Sequence, residues 1–234
     1  MTVRGDLHIH SCLSPCGDLS MSPSAIVRAA RERGLDLIAL ADHNTALNLP
    51  AFKAACLKEG LACIFGLEIT TREEAHILTL FETPEAALDL GGFLYPLLPP
   101  VPNRPEKTGD QVYVDENEVI LGEVELYLGT AAEISLERLL GEVRRRGGLF
   151  IPAHIDKPVF SIPSQLGFLP PLDYDALESV SLPCPVETGR MPVIRNSDAH
   201  YLEDIGKRAT LYEMEKPGFA GLVRALREGR FRTE

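Results

Sequence analysis

Residues 6–10 read Asp6-Leu7-His8-Ile9-His10. Read as an extended strand, whose side chains alternate with a period of two, the stretch puts Asp6, His8 and His10 on one face and Leu7 and Ile9 on the other. Two imidazoles side by side at a strand end suit one metal ion. A single His-x-His pair is weak evidence, so its meaning depends on the rest of the chain.

Outward from this stretch, apolar runs and amphipathic segments alternate: Val3 to Ile9, Pro23 to Arg33, Leu35 to Ala41, Leu47 to Lys58 and Leu61 to Ile69. That rhythm is βαβαβ. Ser22 before Pro23 gives an N-cap hydroxyl and a proline at the first helical position, and Gly34 gives a stop. The same grammar opens a helix at Ser135 and closes it at Arg144-Arg145-Arg146-Gly147-Gly148, with cations at the negative end of the helix dipole. A last helix is expected over Phe219 to Glu228. Repeated β and α units predict an α/β fold with parallel strands, open or closed into a barrel. Between about Thr83 and Thr130 the rhythm breaks. Tyr95 to Pro105 is proline-rich, and Gln111 to Leu121 reads as a hairpin turning at Asp115-Glu116-Asn117-Glu118. We read residues 83–130 as an insertion within a single domain spanning 1–234.

Ligand-type residues recur at one place in the repeat. Asp42-His43-Asn44 follows Leu37 to Ala41, Glu68 follows Cys63 to Leu67, His154 follows Leu149 to Ala153, and Asp198 and His200 follow Pro192 to Ile194. Each lies just past the C-terminal end of an expected strand, where a parallel barrel gathers its active site. His76 instead precedes its apolar run, Ile77 to Phe81, so that strand starts near the mouth or runs the other way. Any lone histidine is most simply an ordinary residue at a strand end. All six histidines of the chain, His8, His10, His43, His76, His154 and His200, nevertheless fall in this pattern. Zinc, manganese and iron accept mixed imidazole and carboxylate shells, and a glutamate can bridge two ions, which makes Glu68 the bridging candidate. Asp6 and Asp42 are candidates for orienting the histidines from behind.

Composition narrows the class. With 234 residues, 45% of them hydrophobic, the chain can bury a sizeable core. No stretch is apolar for long enough to span a membrane, and the first residues lack the apolar region of a signal peptide, so a cytoplasmic protein is expected. Five scattered cysteines fit reduced thiols better than a disulfide framework. A formal charge of −11 argues against nucleic acid as a partner and leaves small phosphorylated substrates, because bound metal would reverse the sign locally.

The motifs resemble those of the polymerase and histidinol phosphatase (PHP) family: D-L-H-I-H at 6–10, A-D-H-N at 41–44, G-L-E at 66–68, His76, P-A-H at 152–154 and S-D-A-H at 197–200. The resemblance runs over almost the whole chain and implies a distorted (β/α)7 TIM-like barrel, here with the hairpin-containing insertion, and a trinuclear metal centre. Carried over by motif, His8, His10, Glu68 and Asp198 resemble the shell of one ion, Glu68, His76 and His154 that of a second, and His43 and His200 that of a third. The family's further ligand after the His-x-His pair is where this chain departs from the pattern. Its loop reads Ser11-Cys12-Leu13-Ser14-Pro15-Cys16-Gly17-Asp18, which leaves both Cys16 and Asp18 open; a thiolate at Cys16 would favour softer ions such as zinc.

The function implied is a phosphoesterase holding two or three divalent ions (Zn, Mn or Fe) that hydrolyses a small ester of nucleotide, sugar phosphate or histidinol phosphate type. A metal-bound hydroxide is the expected nucleophile, with no separate catalytic residue. Lys157 and Arg195 are candidates to hold the substrate's phosphate, Arg190 a weaker one, while the Arg144 to Arg146 run is better explained by the helix dipole. Two rivals remain: an amidohydrolase-type C–N hydrolase, since that superfamily also uses His-x-His on a first strand, and a non-catalytic regulatory domain that keeps metal for folding.

Overall fold

The structure, a computed structural model, describes residues 1–234. Its strands are β1 (Thr2–Ile9), β2 (Leu37–His43), β3 (Ala62–Thr70), β4 (His76–Phe81), β5 (Val112–Val114), β6 (Ile120–Glu123), β7 (Leu149–Pro152), β8 (Leu177–Glu178), β9 (Val193–Ile194), β10 (Thr210–Glu213) and β11 (Phe231–Thr233). Its helices are α1 (Pro23–Glu32), α2 (Leu49–Glu59), α3 (Pro84–Leu94), α4 (Pro105–Thr108), α5 (Leu136–Arg145), α6 (Ile162–Leu166) and α7 (Phe219–Glu228). Ser22 and Ser135 cap as the sequence announces, their hydroxyls accepting the amides of Ala25 and Arg138, and Thr83 adds a third cap by accepting the Ala86 amide.

Seven strands hydrogen-bond in the order β11-β10-β1-β2-β3-β4-β7 and curl into a half-barrel. β1, β2 and β3 are parallel, and β4 runs antiparallel to both β3 and β7. Thus β4 starts at the end where β3 finishes, and this settles the position of His76: it opens its strand at the same mouth that Glu68 closes. The short parallel pair β8–β9 completes the circuit. On one side Ile155 N–H donates to Glu178 O (2.8 Å); on the other Leu7 N–H donates to the Asn196 side chain (2.8 Å) and Ile9 bridges to Ala199. The result is the distorted TIM-like barrel, with a mixed sheet where simple βα repetition predicted parallel strands throughout.

Alternate strand residues divide between two cores. Val3, Leu7, Leu37, Ala39, Ile64, Leu78 and Ile151 fill the barrel interior, where α7 adds Leu222 and Leu226. Ile9, Ile38, Leu40, Phe65, Leu67 and Phe150 point outward against α1, α2, α3 and α5. On β1 this alternation is broken. Gly5 faces Leu37, Asp6 faces Ile38, but Ile9 faces Leu40, so three steps on β1 oppose two on β2. This bulge inserts one residue, and Leu7 and His8 consequently share the inner side while Asp6 falls on the opposite face.

The segment read as an insertion is built from two parts. Its opening helix, α3, packs on β3 and β4 as part of the helical layer. The expected hairpin is β5–β6, with the Asp115 carboxylate accepting the amides of Asn117 and Val119 in the turn. It packs back on the loop after β1 through Val112 N–H to Cys12 O and on the Asn48 side chain through Val114 N–H.

Gly66 marks the tightest approach inside the barrel: a Cβ there would lie 2.7 Å from Thr79 O and 2.9 Å from Leu80 Cδ2. Gly66→Ala should therefore cost about 1–3 kcal/mol through overpacking, a fall in Tm of about 2–4 °C for each kcal/mol. An unchanged melting temperature would show that β3 and β4 are not so closely apposed.

Candidate metal centre

Glu68 ends the inner-facing series of β3, and five imidazoles converge on its carboxylate. Oε1 lies 2.9 Å from His76 Nδ1, 3.0 Å from His154 Nε2 and 3.4 Å from His8 Nε2; Oε2 lies 3.3 Å from both His10 Nε2 and His43 Nδ1. Asp198 joins from the other side, its Oδ1 being 3.2 Å from His10 Nε2 and 3.6 Å from His8 Nε2. His200 stacks on His10 with ring centroids 4.4 Å apart. Donor atoms group within 4.8 Å of one another in three sets: His8, His10, Glu68 and Asp198; His43, Glu68 and His76; and His10, Cys16, His43 and His200. His154 enters through Glu68.

The backbone is bent to make this meeting possible. His154, Asp198 and Asn44 have φ of 31°, 53° and 55°, in the left-handed region that disfavours side chains. Each costs on the order of 1–3 kcal/mol and persists only where the surroundings impose it. At Asn44 the side-chain amide donates to Leu128 O and Thr130 O. At Asp198 the preceding turn is pinned by Asp6, which accepts the amides of Ser197 (3.0 Å) and Gly206 (2.9 Å). Asp6 therefore reaches no imidazole ring, because the β1 bulge turns it away; it meets only the His8 backbone amide and shapes the Asp198 turn instead.

The histidine tautomers follow from their outer partners. His8 Nδ1 lies 3.0 Å from the Glu178 carboxylate, which can only accept, so Nδ1 carries the proton and Nε2 faces Glu68 with its lone pair. Ser14 Oγ spends its hydrogen on Asp42 (2.7 Å), so His10 Nδ1 must donate to it (3.0 Å) and Nε2 is again free. His200 Nδ1 donates to the Asp198 carbonyl at 2.8 Å. Asp42 thus acts on His10 through Ser14, while also accepting the Ser11 amide and hydroxyl.

This arrangement fits divalent ions on its own chemistry. His8 Nε2 and His10 Nε2 stand 3.2 Å apart, so in the neutral tautomers set by Glu178 and Ser14 two nitrogen lone pairs would face each other and carboxylate oxygens. The buried Nδ1 atoms of His43 and His154 have no hydrogen-bond partner. Without metal, protons must fill the gap. Burial opposes charge on His8, yet Glu178, Glu68 and Asp198 hold its pKa well above the ordinary value; against the same burial, Asp198 and Glu68 raise His10 to about 9. Burial would raise Glu68 and Asp198, but the surrounding imidazoles hold both well below the usual carboxylate range. Burial and the His10 charge lower His200 to about 4. A cavity of about 200 Å³ opens here, lined by Glu68, Asp198 and His200 among the ligands and by Lys157, Val159 and Phe160.

Of the residues singled out in the sequence, Cys16 lies in the third donor set, whereas Asp18 does not reach the cluster. The Asp18 carboxylate accepts the Ser20 amide (2.8 Å) in its own loop, and the Ser20 hydroxyl together with that amide keeps its pKa low. Lys157 Nζ pairs with Asp198 Oδ2 at the cavity. Arg195 is brought elsewhere: its guanidinium donates to Val180 O and to the carbonyl of Glu234. Sequence reading missed Glu178, which is buried and binds His8, the amide of His154 and the Asn196 side chain together. Its only signal was an acidic residue after the two-residue apolar run Ala176-Leu177, too short to mark a strand.

Residues 6–99 match the PHP domain family and residues 188–231 the PHP-associated family. A curated 5′-3′ exoribonuclease of Haemophilus influenzae is 36% identical over 83 residues, covering 34% of this chain and 29% of that protein. The lesion-specific endonuclease Q of Pyrococcus furiosus superposes over 100% of this chain and 58% of its own, with TM-score 0.73 and 19% identity. An endonuclease Q complex with a 27-mer duplex carrying an abasic lesion also matches at TM-score 0.73 and 19% identity, covering 97% of this chain and 57% of the other. A two-domain Bacteroides vulgatus protein containing a predicted PHP-like metal-dependent phosphoesterase matches at TM-score 0.58 and 17% identity, covering 100% of this chain and 65% of the other. The chain therefore spans about a third of the curated relative and under two thirds of the P. furiosus enzyme.

These likenesses to nucleases overturn the expectation of a small phosphorylated partner, with the charge arguing against nucleic acid. That inference came from the net charge of −11, which averages the whole surface. Divalent ions bound at this cluster would act within a Debye length of a phosphate held there and would outweigh remote carboxylates.

Loading the metal-free protein at pH 7 should expel about two protons, from His8 and His10, because ions and protons compete for the same nitrogens. Apparent metal affinity should accordingly rise with pH toward about 9, the His10 value. Titration calorimetry in buffers of different ionisation enthalpy reads both; proton-neutral binding at pH 7 would contradict the assignment. Glu178→Gln should weaken metal binding by roughly 10–100-fold, and unchanged affinity would show that His8 needs no carboxylate behind it.

Proposed function

Because this chain belongs to the PHP family, we propose that it is a metal-dependent phosphodiesterase that hydrolyses nucleic acid. The observation that carries the reading is the set of five imidazoles and Asp198 around the Glu68 carboxylate, at the floor of a cavity open to solvent. The openness matters because a metal held only for folding would be sealed. Here the His200 and Lys157 side chains keep 25% and 37% of their surface exposed.

Two or three divalent ions would be held by His8, His10, Glu68 and Asp198, by Glu68, His76 and His154, and by His43, His200 and Cys16. When bound, such ions supply Lewis acidity and acidify a water to near neutrality. Manganese, zinc and iron all suit the imidazole and carboxylate donors, and Cys16 tilts the third set toward zinc. The chain's own residues do the rest. Glu178 and Ser14 hold the His8 and His10 rings with Nε2 inward. Lys157 spends one of its three donors on Asp198, and the others are free for phosphate oxygens. Burial opposes its charge, but Asp198, Glu68 and Glu178 raise its pKa, so it stays cationic. Nucleic acid is favoured as substrate by the nuclease names of the curated relative and of endonuclease Q. No helix is long and apolar enough to cross a membrane, and five free cysteines support a reducing, cytoplasmic setting.

The test is cleavage of 5′-labelled DNA and RNA oligonucleotides, single-stranded, duplex and abasic, by protein loaded in turn with Mn²⁺, Zn²⁺ and Fe²⁺. Cleavage that chelation stops and His10→Ala lacks is the expected result. Hydrolysis of amides but of no phosphodiester, at full metal occupancy, would overturn the reading.

A further inference from the structure

Beside the metal cluster, one aromatic ring occupies an unusual position. Phe160 lines the cavity and is 42% exposed, whereas the other exposed rings, Tyr95, Phe168 and Tyr201, do not line it. Its φ is 56°, left-handed for a bulky side chain, so the backbone is twisted where no glycine relieves it. The twist is held from both sides. His76 N–H donates to Phe160 O at 2.8 Å, and the next residue, Ser161, donates its hydroxyl to Lys157 O (2.7 Å) while accepting the Ser164 amide that starts α6. One ring face lies on His76, centroids 4.7 Å apart and planes 14° from parallel. An apolar ring is thus kept at the rim, in the same loop that delivers Lys157 to the phosphate position.

The cavity explains what such a ring would be for. At about 200 Å³ it falls below the roughly 300–1,000 Å³ of pockets that enclose a whole small ligand. That leaves room for a phosphate group but not for a whole nucleotide, so whatever adjoins the phosphate would lie outside, against the rim. In a nucleic acid the adjoining group is a nucleoside, and every nucleobase presents a π face that an aromatic side chain can stack on without reading sequence. We propose that Phe160 is the stacking platform for the nucleobase next to the scissile phosphate, extending the column of His76 and Phe160 by one ring. This deepens the phosphodiesterase reading and rests on it for its substrate.

The experiment uses the Mn²⁺-loaded full chain and short phosphorothioate oligonucleotides with 2-aminopurine scanned through each position, total binding being followed by anisotropy. One position should be quenched by stacking. The quench should vanish in Phe160→Leu, which keeps apolar cover over His76, and persist in Phe160→Tyr. In parallel, the wild-type preference in kcat/KM for an oligonucleotide over its counterpart lacking the base beside the cleaved bond should fall roughly ten-fold or more in Phe160→Leu. Binding without quench at any position, or a quench and preference equal in wild type and Phe160→Leu, would overturn the stacking role and leave the phosphodiesterase reading standing. A Phe160-dependent quench with no phosphodiester cleaved under any ion would do the reverse. Absence of all oligonucleotide binding would overturn both.

Discussion

The carboxylate of Glu68 lies within 3.4 Å of ring nitrogens from five histidines with 1% of its side chain exposed. A carboxylate cannot be taken out of water at that depth unless positive charge meets it. In the metal-free chain protons on His8 and His10 supply it, helped by Lys157, so that three cationic groups face the three acids Glu68, Asp198 and Glu178. Replacing protons by divalent ions would turn this balance strongly positive. The same substitution explains how an acidic protein can offer a phosphate a cationic site.

The rest of the barrel serves that exchange by fixing which nitrogen points inward. Glu178 behind His8, and Asp42 acting through Ser14 behind His10, each reject the wrong tautomer because an acceptor stands where the proton must be. Asp6 and the Asn44 side chain hold turns whose backbone would otherwise relax out of the left-handed region. These supports come from opposite ends of the chain, and the two breaks in strand pairing, at β7–β8 and β9–β1, are where Glu178 and Asn196 enter. Where the ladder is interrupted, side chains take over both closure and site construction.

Much of this was legible in the sequence because parallel strands ending at one mouth make distant motifs converge: the positions of His8, His10, His43, Glu68, His154 and Asp198 follow from where their apolar runs stop. What was not legible has definite causes. Strict alternation on β1 placed Asp6 beside His8, but a bulge depends on the register of the neighbouring strand, which spacing within β1 does not reveal. Glu178 sits on a strand of two residues, below any periodicity. Asp18 and Arg195 look like a ligand and a phosphate clamp by distance along the chain, yet local bonds to Ser20 and Val180 claim them first. Net charge misled most, since it carries no information about where the charge lies.

The central claim is that Glu68 joins at least two ions into one centre, and native mass spectrometry of the metal-loaded protein tests it most directly when wild type and Glu68→Gln are compared at equal folded content by circular dichroism. Two or three ions in the wild type and the concerted loss of at least two in the variant are expected. A single ion in the wild type, or full retention in Glu68→Gln, would contradict it.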